Sequence, residues 1–99
     1  MSVTRVLVME VPSSIPWTGF MKIFRTTTEP KLKKLRKDKT LKRWSFLQVG
    51  DHTGLLIAKF ENKSKMNKYL KTLTPVRQDV TADTGLQAWA YTGAVKASG

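Results

Sequence analysis

Few side chains in this chain are equipped for chemistry. His52 is the one histidine, and there is no cysteine. Disulfides, thiolate nucleophiles and thiolate metal sites are therefore excluded, and a single histidine does not make a transition-metal site, so no metal is expected. His52 is also poorly set as a general base. It lies in a polar turn, Gly50-Asp51-His52-Thr53-Gly54, where a solvated imidazole is the ordinary outcome. Ser13-Ser14 has no base in register, and helix capping accounts for it. No glycine-rich phosphate loop is present. Glu10 stands on an otherwise apolar run. It is either a buried acid with a raised pKa or the partner of a lysine near the strand end, and pairing is the expected state. Arg77 and Asp79 are of the types that clamp a carboxylate or make a surface ion pair. Trp44, Gln48, Trp89 and Tyr91 are the candidate pocket residues: aromatic walls with one amide, needing no cofactor. The same aromatics would also serve simply to fill a small core.

The strongest compositional signal is the segment Lys31–Arg43, KLKKLRKDKTLKR, in which eight of thirteen residues are basic; the whole chain carries a net charge of +11. Lys31, Lys33, Lys34, Arg36, Lys37, Lys39, Lys42 and Arg43 form a candidate anion-binding set, for a nucleic-acid backbone or an acidic partner. A solvated helix face is the plainer reading. Leu32 and Leu35 are too few apolar anchors for a membrane-surface helix. No stretch approaches the roughly 18 apolar residues of a membrane span. The apolar run between Arg5 and Glu10 is too short for a signal peptide. The expectation is a soluble cytoplasmic protein.

The elements that must position these groups follow from periodicity. With 99 residues the chain makes one domain, 1–99. Val3–Val11 is β-rich and apolar on both alternating sets, so it is expected to be buried on both faces. Ser14 and Pro16 suit a helix start. Trp17, Phe20, Met21 and Phe24 then repeat at helical spacing. Glu29-Pro30 breaks that helix, and a second piece follows with Thr28 as cap and Leu32 and Leu35 turned inward. Trp44–Phe60, WSFLQVGDHTGLLIAKF, reads as a β-hairpin about the polar turn. Asn62 caps a helix over Lys63–Leu73. Thr74-Pro75 opens a further short helix or turn that closes near Gly85. Leu86–Val95 is the last strand.

The order β-α-β-β-α-β predicts an α+β, ferredoxin-like fold: a four-stranded antiparallel sheet with helices on one face. The first and last strands are expected at its centre. The open face then needs an explanation. An RNA recognition motif uses the same strand order and stacks bases on aromatics of its central strands. Aligned on Gly54, the third strand here has Leu55 and Ile57 at the stacking positions, and the first strand has Leu7. Aliphatic side chains forgo stacking worth about 1–3 kcal/mol per base. An open face bearing Leu7, Met9, Leu55 and Ile57 predicts a second copy laid sheet to sheet, a homodimer.

This pattern resembles the dimeric α+β barrel superfamily, which includes antibiotic-biosynthesis-monooxygenase-like proteins. The resemblance is carried by the hairpin Trp44–Phe60, by Phe60-Glu61-Asn62 running into helix Lys63–Leu73, and by Gly85-Leu86 leading into the final strand with Trp89 and Gly93. It implies a small dimeric barrel protein that is a cofactor-independent enzyme or a small-molecule binder of monooxygenase-like type. Members with aromatic substrates line their cavities with aromatic and polar side chains, a role that would fall here to Trp44, Gln48, Trp89 and Tyr91. The alternative is a nucleic-acid or polyanion-binding module using Lys31–Arg43.

Overall fold

A computed structural model describes residues 2–98. The chain runs β1 (Val3–Glu10), α1 (Trp17–Thr27), α2 (Glu29–Lys37), β2 (Arg43–Gln48), β3 (Thr53–Phe60), α3 (Lys63–Thr84) and β4 (Gln87–Ala94). The strands form one antiparallel sheet in the order β2-β3-β1-β4. The α+β, ferredoxin-like expectation therefore holds, with α2 as an extra helix. The expectation that both terminal strands sit centrally does not hold. β1 is central, but β4 is an edge strand. Each helical crossover joins strands that have one strand between them: β3 inserts between β1 and β2, and β1 inserts between β3 and β4.

Register decides which residues face the helices. Leu7 lies opposite Leu56 on β3 and Ala90 on β4; Met9 lies opposite Gly54 and Ala88. These rows join Val11, Ala58 and Phe60 in a core completed by Phe20 and Phe24 of α1, Leu32 and Leu35 of α2, and Met66, Tyr69, Leu73 and Val80 of α3. Leu7 and Met9 are thus core residues beneath the helices, which corrects their assignment to the open face. Leu55 and Ile57 do face away from the helices, and their β1 neighbours there are Val8 and Val6. Both alternating sets of β1 are apolar, so period-2 patterning alone cannot tell its two faces apart.

Gly54 shows how tightly the covered face is packed. A Cβ built there would meet Phe46 Cζ at 2.9 Å and Trp17 Cη2 at 3.2 Å. Those rings and Phe20 form edge-on and tilted pairs with centroids 5.6–6.2 Å apart.

Pro16 occupies the N-cap of α1 with no side-chain hydrogen bond, so Ser14 does not cap it. The α1–α2 break falls at Thr28, which makes no side-chain cap either. Just before it, the Thr27 hydroxyl donates back to the Ile23 carbonyl at 2.6 Å, and β-branched threonines of this kind loosen a helix end. Helix α3 continues through Pro75 to Thr84 instead of restarting there. Pro75 is exposed, while Leu73 and Val80 on either side of it are buried, so packing of the inner face holds both halves in one helix despite the lost hydrogen bond. Gly85 then ends α3 at φ 75°, the left-handed region that favours glycine.

At the other end of α3 the Asn62 side chain accepts from the Lys65 backbone N–H at 2.9 Å. Asn62→Ala removes this cap and should lower unfolding free energy by about 1 kcal/mol in urea titrations, with an unchanged m-value.

Candidate ligand cavity

A half-enclosed cavity of about 60 Å³ lies between α1, α3 and the covered face of β1 and β3. Its walls are largely apolar and include Leu7, Phe24, Leu56, Leu73 and Val80. Arg5, Tyr69 and Arg77 also line it. At about 10–15 Å³ for each water-sized occupant, the space admits roughly four to six heavy atoms.

Tyr69 is buried, 4% exposed, with its ring edge-on to Phe60 at a centroid distance of 4.9 Å. Burial pushes its hydroxyl up from the ordinary 10.0 to about 12, although the charges of Arg5 and Arg77 pull the other way. Near neutrality the phenol therefore keeps its proton and can donate a hydrogen bond, but it is no general base. Burial, and then the charge of Arg77, pull the Arg5 guanidinium below its usual value.

The Tyr69 shift predicts a loss of stability in alkali. Below pH 10 folded and unfolded chains both hold the phenolic proton. As pH rises through 12 the unfolded chain ionises first, so stability falls, by about 2–3 kcal/mol for a two-unit shift. Tyr69→Phe removes this component. The unfolding free energy of the variant relative to wild type should rise by that amount between pH 9 and pH 12, as read by denaturant titration at each pH.

The four residues expected to form a pocket are not brought together. Trp44 lies on the covered face with its ring centroid 6.1 Å from that of Phe24. Gln48 turns to the hairpin, where its Nε2 donates to the Gly50 carbonyl at 3.1 Å, and it lines a wide, solvent-open groove between α1 and β2. Trp89 and Tyr91 lie on the open face, beside Val8 and Val6 respectively. None of the four lines the enclosed space. Arg77, singled out for a carboxylate clamp, does line the cavity, but its expected companion Asp79 is exposed and does not. Arg5 and Tyr69 drew no notice in the sequence. The available signal was Arg5 as a charge on an apolar strand, in phase with Leu7 and Met9.

Glu10 accepts from the Thr53 hydroxyl at 2.7 Å rather than pairing with a lysine. The two are cross-strand neighbours, so register supplies the partner. His52 is exposed in the turn, and its backbone carbonyl accepts from the Val11 N–H at 2.7 Å. Among the described residues no group of three or more histidine or acidic side chains is placed to hold a metal ion.

No protein-family model matches the chain, and no curated protein matches it in sequence. Solved structures do match it in three dimensions. A mutant of SnoaB, a cofactor-independent oxygenase from Streptomyces nogalater, superposes with a TM-score of 0.76 at 15% identity, over 98% of this chain and 95% of its own. A dimeric ferredoxin-like protein from an uncultured marine organism gives 0.78 at 14% identity, over 97% and 96%. A protein of unknown function from Nitrosomonas europaea gives 0.76 at 10%, over 99% and 92%. The shared architecture is the ferredoxin-like α+β fold. At these identities the likeness establishes architecture alone, since one fold hosts many chemistries.

The basic segment occupies α2 and the approach to β2. Leu32 and Leu35 are buried, and Lys31, Lys33, Lys34, Arg36, Lys37, Lys39, Lys42 and Arg43 are all exposed. Lys33 pairs with Glu29 at 3.6 Å, and Asp38 reaches Lys68 at 3.8 Å. Asp38 also accepts from the Thr40 N–H at 2.9 Å, which ties down the turn, and hydrogen bonding from the Thr40 side chain and then its backbone holds the Asp38 carboxyl below the usual range. The α2 members of the cluster belong to the helix layer, whereas Trp89 and Tyr91 occupy the opposite face of the sheet, as does Arg43 at the start of β2. A nucleic-acid strand bound along α2 would not stack on Trp89 or Tyr91. Among the described residues no helix is long and apolar enough to cross a membrane.

Proposed function

We propose that this protein is a homodimeric small-molecule binder of monooxygenase-like type that holds its ligand in the cavity between α1, α3 and the sheet. The observation that carries the reading is the cavity itself: an apolar enclosure with polar groups among its lining, within a fold shared with a cofactor-independent oxygenase. The lining contains no carboxylate, histidine or cysteine, and Tyr69 stays protonated. Any oxygenation without a cofactor would take its electrons from the ligand, and with no base in the lining that ligand would have to ionise readily by itself.

The dimer is supported by the open face. Leu47, Leu55, Val8 and Trp89 form one apolar row across all four strands. Leu47, Val49, Trp89 and Tyr91 are 41–65% exposed in the protomer, a patch that a second sheet would cover. A dimeric neighbour with the same fold agrees.

The test is methyl-detected NMR with a panel of aliphatic and aromatic molecules of about four to six heavy atoms, a size range set by the cavity. Binding should shift Leu56, Leu73 and Val80, and Leu73→Trp, which fills the space, should abolish the effect. A panel that leaves those methyls unmoved rejects the reading. Oxygen uptake with the molecules that bind, without added cofactor, separates an enzyme from a binder. The alternative, a polyanion module using α2, requires binding to DNA or RNA that weakens steeply with salt. Its absence at low ionic strength removes that alternative.

A further inference from the structure

The cavity has chemically distinct ends. Met9, Val80 and Leu86 line one, while Arg5 and Tyr69 lie toward the other, four residues back along β1 and three turns back along α3. Arg5 is flanked in the sheet by the small side chains Ala58 and Thr92. Arg77 is two helical turns beyond Tyr69, and helical side chains lean toward the N-terminus, which carries its guanidinium back over Leu73. All three line the one cavity, and both arginine charges act on the Tyr69 hydroxyl.

These cations have no protein partner. Among the described residues the ion pairs are Lys33–Glu29, Lys65–Glu61 and Lys68–Asp38, and neither cavity arginine takes part in one. No acidic residue lines the cavity. No described hydrogen bond uses either guanidinium or the Tyr69 hydroxyl, yet no side-chain nitrogen or oxygen is sealed from solvent without a partner. The polar atoms of all three groups therefore keep some access to solvent, and all three residues line the cavity. Two like charges at the edge of an apolar slot repel each other and lose hydration. An anion between them reverses both penalties.

We propose that this end of the cavity is an anion site, and that its ligand is a small apolar monocarboxylic acid. The carboxylate lies between Arg5 and Arg77 and accepts a hydrogen bond from Tyr69; the hydrocarbon part lies along Leu56, Leu73 and Val80. Guanidinium groups match a carboxylate with paired hydrogen bonds. The apolar remainder of the lining disfavours phosphate or a diacid, whose second charge would be buried there unpaired. The volume suits an acid of about four to six heavy atoms. This inference rests on the cavity-ligand reading above and specifies the ligand class.

Butyrate and its neutral isostere butyramide, titrated into the full chain and followed by methyl and arginine side-chain NMR, test both layers separately. Butyrate should shift the Arg5 and Arg77 Nε–H signals together with the Leu56, Leu73 and Val80 methyls, and should bind about tenfold or more tightly than butyramide, as a charge-assisted pair implies. Arg77→Gln should remove that preference, and Arg77→Lys should restore part of it. If butyramide binds as well as butyrate at the same methyls, the anion site is overturned while the cavity reading stands. If neither compound moves those methyls, both fail. Butyrate shifts confined to Lys31–Arg43 would place the carboxylate on the surface and overturn the site. The wild-type comparison of the two compounds decides the matter even if the glutamine variant does not fold.

Discussion

Leu55→Asp should convert the proposed dimer to a monomer, as read by size exclusion with light scattering. Leu55 lies on the central strand β3, between Leu47 on β2 and Val8 on β1, in the apolar row that ends at Trp89. In the proposed sheet-to-sheet dimer this row is the middle of the interface. Removing one buried leucine forfeits about 1.5–3 kcal/mol per protomer. Burying a carboxylate without a partner adds several kcal/mol more. Even about 4 kcal/mol raises the dissociation constant roughly a thousandfold. In the isolated protomer the same position faces solvent, so the monomer should keep its circular dichroism and most of its unfolding free energy. A wild-type protein that is monomeric at micromolar concentration, or an aspartate variant that stays dimeric, would refute the open face as the dimer interface. Leu7→Asp should behave differently and unfold the protomer, because Leu7 lies beneath the helices.

The second large effect belongs to the hinge between sheet and α3. Phe60→Ala should cost about 3–5 kcal/mol of unfolding free energy, a large share of the 5–15 kcal/mol available to a domain. Phe60 is the last residue of β3, is 0% exposed, and meets Tyr69 edge to face at 4.9 Å. Truncation removes the ring contacts and leaves a void that α3 cannot close without leaving the sheet, since Tyr69, Leu73 and Val80 are docked along the same face. Because Tyr69 also lines the ligand cavity, the variant should lose cavity binding along with stability. Phe60→Leu should recover part of both. A Phe60→Ala protein within 1 kcal/mol of wild type, a margin set by ordinary surface substitutions, would show that the ring does not hold α3 in place.

What was legible in the chain and what was not divides along physical lines. Trp17, Phe20 and Phe24 announce α1 because helical spacing is local, and Asn62 announces the start of α3 because a cap is satisfied within three residues. The hairpin Trp44–Phe60 is visible for the same reason. Pro75 misled because its local penalty is real, and only distant packing of Leu73 and Val80 overrides it. Trp44 and Trp89 looked like partners by residue type, yet the register β2-β3-β1-β4 puts them on opposite faces.

The sequence by itself determined the set of elements, the ferredoxin-like order, and an apolar open sheet face bearing Leu55 and Ile57. These depend on spacing within one element and on the count of apolar side chains. Tertiary structure alone decided which face of β1 is covered, because Leu7 with Met9 and Val6 with Val8 are equally apolar sets, and only pairing with Leu56 selects the first. It alone brought Arg5, Tyr69 and Arg77 to one cavity. Those residues lie on a strand and a helix far apart in the chain, and no local periodicity encodes a meeting that depends on how α3 is docked across the sheet.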